Sequence, residues 1–155
     1  MPTTVYLASD HRGFELKSRL LRDLPASLPF SFQDLGPAEY NETDDYNDAA
    51  ISVARALKNT RSDFGILICG SGIGVSIQAN RFKGIRAALA FTPSDAETAR
   101  NHNNCNVLCL SADKITDNDT YSALLEIITT FLSTPFSNLD RHARRVKRLD
   151  EDIIL

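Results

Sequence analysis

Cysteine is scarce in this chain, and its spacing suits neither of the common structural uses of the residue. Cys69, Cys105 and Cys109 form an odd set, which gives no disulfide framework. Neither Cys-x-x-Cys nor His-x-x-x-His occurs, so no metal ligand set is suggested, and neither metal nor cofactor is expected. Net charge is small as well. Seventeen Lys and Arg against 20 Asp and Glu leave −3, which points to neither nucleic acid nor a membrane surface as partner. No apolar stretch reaches the roughly 18 residues needed to cross a bilayer. The N-terminus meets Asp10-His11-Arg12 after a short apolar run, without the pattern of a secretory signal. A reduced, cytoplasmic protein is the expectation. Gly-x-Ser-x-Gly, the nucleophile elbow of serine hydrolases, is missing. So are internal repeats, long linkers and low-complexity segments. The length of 155 residues fits a single domain over 1–155.

What the chain does have is alternation. Residues 4–8 read as a strand, and 14–24 place Phe14, Leu16, Leu20, Leu21 and Leu24 at helical spacing. Pro25 and Pro29 break that segment. Residues 30–35 read as a second strand, stopped by Gly36-Pro37. An acidic loop over 39–48 runs into a helix over 49–57. Residues 64–69 are almost continuously apolar, as in a strand buried on both faces. A glycine-rich turn follows, then a helix to about Phe82. Strands are expected over 86–91 and 106–110, and helices over 93–101, 124–132 and 141–149. Pro93 opens its helix where proline is tolerated. Such alternation predicts an α/β fold, a Rossmann-like three-layer sandwich with a five-stranded parallel sheet. Ligands of such sheets bind beyond the carboxyl ends of the strands.

Polar chemistry collects near the predicted strand ends. Ser9-Asp10-His11 follows the first strand, Cys69-Gly70-Ser71-Gly72-Ile73-Gly74 follows the third, Asn101-His102-Asn103-Asn104 precedes the fifth, and a basic helix closes the chain. All three histidines, His11, His102 and His142, lie in these groups, which suggests one shared site. Glycines bring bare N–H groups towards a ligand, so the turn suits a phosphate, a carboxylate or a developing oxyanion; it also suits a tight connection with no ligand. A dinucleotide fingerprint is not met, because Val75 stands where the third glycine belongs. Cys69 abuts the turn, where a nearby cation or helix start activates a thiol; a buried free cysteine is equally a small packing residue. Cys105 and Cys109 read as packing residues. Asp10 either pairs with an imidazole or caps the next helix. His102 is a proton shuttle, or its asparagine neighbours form a helix C-cap. Arg141 and Arg145, four apart, share one helix face and suit phosphate, unless that helix is simply solvated.

Taken together and in order, these segments resemble ribose-5-phosphate isomerase type B, within a group that includes allose 6-phosphate and galactose 6-phosphate isomerases. Ser9-Asp10-His11, Gly65 to Gly74, Ala79-Asn80, Gly84-Ile85-Arg86-Ala87-Ala88, Ala99 to Asn104, Thr134-Pro135-Phe136 and Arg141 to Arg145 carry the likeness. The resemblance implies a homodimer with sites at the subunit interface; whether dimers pair into tetramers stays open. It implies interconversion of ribose 5-phosphate and ribulose 5-phosphate through an enediolate. Cys69 corresponds to the base, and Ser71 with the backbone of Gly70, Gly72, Ile73 and Gly74 to the enediolate cradle. His102, helped by Asp10, corresponds to the group that opens the sugar ring. His11, Arg141 and Arg145 match phosphate positions, and Tyr46 and Asn103 match sugar contacts. His142, on a helix over about 138–150, would approach a site from the partner.

Two positions depart from the family. Asn47 stands where proline is usual, which predicts a less constrained loop around Tyr46. Asp113 stands where an arginine is usual, which predicts weakened phosphate binding unless Lys114 turns in. A six-carbon substrate or a non-catalytic sugar-phosphate binder are the alternatives. Pocket size discriminates the first; binding without turnover discriminates the second.

Overall fold

The apolar run at the centre of the sequence becomes the centre of the sheet. In the computed structural model, which describes residues 3–24, 28–60 and 62–151, five parallel strands form one sheet. They are β1 (Thr4–Ser9), β2 (Ser31–Asp34), β3 (Phe64–Cys69), β4 (Ala87–Leu89) and β5 (Val107–Ser111), in the order β2-β1-β3-β5-β4. β3 lies in the middle, with every residue after Phe64 buried, which is why it lacks polar alternation. β2, at one edge, alternates and is largely exposed.

Among the described residues α1 (Phe14–Asp23), α2 (Tyr46–Leu57), α3 (Ile73–Ala79), α4 (Pro93–Asn103) and α5 (Asn118–Ser133) cover the two faces, and α6 (Asp140–Glu151) packs against α4. On one face Leu16 and Leu20 of α1, Ala96 and Ala99 of α4 and the stripe Leu124, Ile127, Ile128 and Phe131 of α5 pack on Val5, Leu7, Ile66, Ile68, Leu108 and Leu110. On the other, Ala50, Val53 and Leu57 of α2 and Val75 and Ala79 of α3 pack on Ala8, Leu67, Val107 and Cys109. Odd and even strand positions thus serve opposite layers. The α/β sandwich and its five parallel strands are as the sequence predicts. Pro25 lies outside the described residues, and none of the described helices is long and apolar enough to cross a membrane.

From β1 the chain steps outward to β2, then returns past β1 to β3. The carboxyl ends of β1 and β3 therefore flank the switch point where open sheets hold ligands. Asp10 N–H donates to the Ile68 carbonyl at 3.2 Å, tying the two ends together.

Candidate active site

Cys69 ends β3 with only 4% of its surface exposed. Its Sγ accepts the Gly72 N–H at 3.1 Å, a contact that suits sulfur carrying negative charge. Gly72 makes this possible. Its φ is +76°, and a Cβ there would lie 3.0 Å from the Leu110 carbonyl carbon. The turn is pinned from β5, because Ser111 Oγ donates to the Gly70 carbonyl at 2.7 Å and Asp113 N–H to the same oxygen at 3.0 Å. Ser71 is exposed at the rim, and its Oγ accepts the Ile73 N–H at 3.2 Å.

Asp10, buried beside the turn, accepts the Gly13 N–H at 3.1 Å and so caps the short 3-10 turn His11–Gly13. Of the two sequence readings of Asp10, the structure shows the cap; the imidazole next to it, His11, is bonded to Asp44 instead. Burial raises its pKa above the ordinary carboxylate value, against the pull of the Gly13 N–H and of His11. His11 is fixed by Asp44, whose Oδ1 takes both the backbone N–H and Nδ1 at 2.8 Å. That leaves Nε2 as the ring nitrogen for a ligand.

Tyr46 is the first residue of α2 rather than part of a loop, and its ring covers Gly74, where a Cβ would stand 2.8 Å away. Asn47, whose missing ring predicts a less constrained segment, makes a bond that a proline could not. Asn47 Nδ2 donates to Gln78 Oε1 of α3 at 2.7 Å, so a side-chain bond holds the segment instead. Asp113 itself is paired with a cation from the turn after β1, Arg12, at 2.5 Å.

The remaining predicted residues lie elsewhere. α4 runs back against the strands and hands over to β5 at its amino end, so His102 and Asn103 stand at the opposite pole of the sheet, exposed. There the His102 and His142 rings meet at 4.4 Å between centroids. His142 is buried, and its Nδ1 shares a 2.7 Å hydrogen bond with Ser137 Oγ. Burial, then Arg141, His102 and Arg145, lower its pKa. Arg141 and Arg145 are exposed on the same helix, α6. The expected single site is thus two clusters in one chain: a thiol, carboxylate and imidazole group at the carboxyl pole, and a histidine and arginine group at the amino pole. Asp10 and His102 are not brought together within a chain. Asn104, with φ 46°, is the C-cap of α4. Sequence reasoning missed Arg12, Asp44 and Ser111. Only Arg12 carried a signal, as the neighbour of His11.

A sequence model of the ribose/galactose isomerase family matches residues 5–149. The chain belongs to this family. A family member from Mycoplasma genitalium, named probable ribose-5-phosphate isomerase B, is 41% identical over 150 residues, covering 96% of this chain and 95% of the relative. The crystal structure of ribose-5-phosphate isomerase B from Mycoplasma genitalium with bound ribulose-5-phosphate superposes with a TM-score of 0.89 at 40% identity, over 98% of this chain and 97% of that one. The type B ribose 5-phosphate isomerase of Trypanosoma brucei gives 0.88 at 41% identity, over 98% and 99%. Ribose/galactose isomerase membership therefore extends over nearly the whole chain and includes both clusters.

Proposed function

We propose that the protein interconverts D-ribose 5-phosphate and D-ribulose 5-phosphate. The observation that carries this reading is Cys69, enclosed at the end of β3 with an N–H on its sulfur, while Asp10 and His11 follow the neighbouring strand β1 at the same pole. A thiolate there takes the proton from C2 of the open-chain aldose, the hydroxyl proton of the enediolate passes from O2 to O1, and the thiol returns its proton to C1. As the proton leaves, negative charge moves to the carbonyl oxygen, and the backbone donors of Gly70 to Gly74 with Ser71 receive it. Fixed donors of this kind need not reorganise during the reaction. His11, Arg141 and Arg145 hold the phosphate, and Tyr46 and Asn103 contact the sugar.

Ring opening assigns His102 to the site, with Asp10 as its helper. Since these two lie at opposite poles of one chain, the working unit is a homodimer. A two-fold pairing presents the α4 and α6 cluster of one copy, with His142 behind His102, to the thiol turn of the other. Exposed apolar side chains near the turn support a covered face: Ile73 and Ile77, four apart on α3, and Phe91 are each more than half exposed. All three cysteines are free and buried, which agrees with a reducing, cytoplasmic setting.

The test is ketose formation from ribose 5-phosphate, with Cys69→Ala measured alongside. The variant is expected to bind substrate and to lose about 10³-fold or more in turnover, the range of a positioned proton-transfer group. Turnover unchanged by the substitution would falsify the role of Cys69. Faster turnover of allose 6-phosphate than of ribose 5-phosphate would move the reading to a six-carbon substrate.

A further inference from the structure

Arg12 and Asp113 meet across the end of β3. Arg12 follows β1 and Asp113 follows β5, the two strands that flank it. Arg12 Nη2 lies 2.5 Å from Asp113 Oδ1. A Cβ placed on Gly70 would stand 3.1 Å from Arg12 Nε, 3.3 Å from its Cζ and 3.2 Å from Asp113 Oδ2. The guanidinium therefore rests against the backbone of the residue next to Cys69. The pair is also half open to solvent, with side-chain exposures of 55% and 48%. Exposed ion pairs contribute only about 0–1 kcal/mol, so stability gives little reason for placing one here. Asp113 engages Nη2, and a guanidinium offers five N–H donors in a planar fork. The rest of the fork remains for an oxyanion.

We propose that Arg12 is a specificity-determining residue that receives the phosphate of the substrate, and that Asp113 is its competitor, positioning Arg12 over Gly70 while weakening its hold on the dianion. This rests on the isomerase reading above. Arg12 stands on the solvent side of an enclosed thiol, next in sequence to His11, so the part of a bound substrate that meets it is the outer, charged end rather than the reacting carbons.

The two members of the pair then act with opposite sign. Arg12→Gln raises the KM for ribose 5-phosphate and the inhibition constant of inorganic phosphate by about tenfold, the scale of one charge-assisted hydrogen bond. Asp113→Asn frees the guanidinium and lowers both constants by about threefold, the smaller effect expected of an exposed partner. The double variant falls between them, and kcat carries the smaller part of each change. A merely structural bridge is damaged alike from either side. Both single variants shifting the constants in one direction, or neither shifting them, would overturn the proposal. If Arg12→Gln does not fold, Asp113→Asn decides alone, since only competition predicts tighter phosphate binding. A wild type that turns over no ribose 5-phosphate defeats the isomerase reading instead. In that event calorimetric binding of inorganic phosphate to the same variants applies the same test of sign.

Discussion

At the scale of single residues, Gly72 is where backbone geometry becomes chemistry. Any side chain there meets the Leu89 methyl at 2.5 Å and the Leu110 carbonyl at 3.0 Å, at a φ of +76°. Gly72→Ala is expected to cost about 1–3 kcal/mol of stability through backbone strain. It also turns the N–H away from Cys69, so kcat should fall by about 10²-fold or more, as on loss of an oxyanion donor. Thermal melting and initial rates measure the two effects. A variant that melts lower yet keeps its kcat would remove Gly72 from the chemistry. This glycine was legible in the sequence, because a glycine-rich turn after a buried strand is a local signal. Arg12 and Asp44 were not. Their partners lie 101 and 33 residues away in the chain, and only the folded sheet brings them close. The same distance explains Asp113, which reads alone as a misplaced negative charge and in the fold as half of a pair.

At the scale of elements, strands were easier to read than helix starts. β3 was expected over 64–69 and lies there. α5 begins at Asn118, six residues before its first legible apolar position, because its opening turn is polar and is held by reciprocal bonds between Asp117 and Thr120. α2 likewise starts at Tyr46 rather than Ala49, since its first turn faces the site and not the core. α6 was legible as a basic helix, but the burial of His142 was not. That burial has a pH signature. With its folded pKa below the ordinary value of 6.5, His142 takes a proton more readily in the unfolded chain. Stability is therefore fully present above about pH 6.5 and is lost as pH falls below it. Melting temperatures from about pH 8 down to about pH 5 should drop more steeply for the wild type than for His142→Gln; equal slopes would show that another group carries the effect.

At the scale of the whole molecule, the class of fold was legible and the strand order was not. Hydrophobic pattern tells a strand that it is buried, not which neighbour it will have. Because β4 lies at the edge and β5 returns inside it, α4 must run back along the sheet, and this carries His102 away from Cys69. The separation makes a prediction about mixtures. Cys69→Ala and His102→Gln chains, each inactive alone, should recover about a quarter of wild-type activity when unfolded together and refolded in equal amounts, since half the two-fold dimers then hold one intact site. No recovery would mean that each chain completes its own site. The strand order has a further consequence, in time rather than space. Among the described strands β4 pairs with β5 alone, so residues 87–89 of a growing polypeptide have no strand to pair with until residues 107–111 have been made. The two bonds that pin the Gly70 carbonyl come from Ser111 and Asp113. During synthesis the Cys69 thiol is therefore made long before the turn that holds it can be pinned, and the pinning waits for the strand made last to slot between β3 and β4.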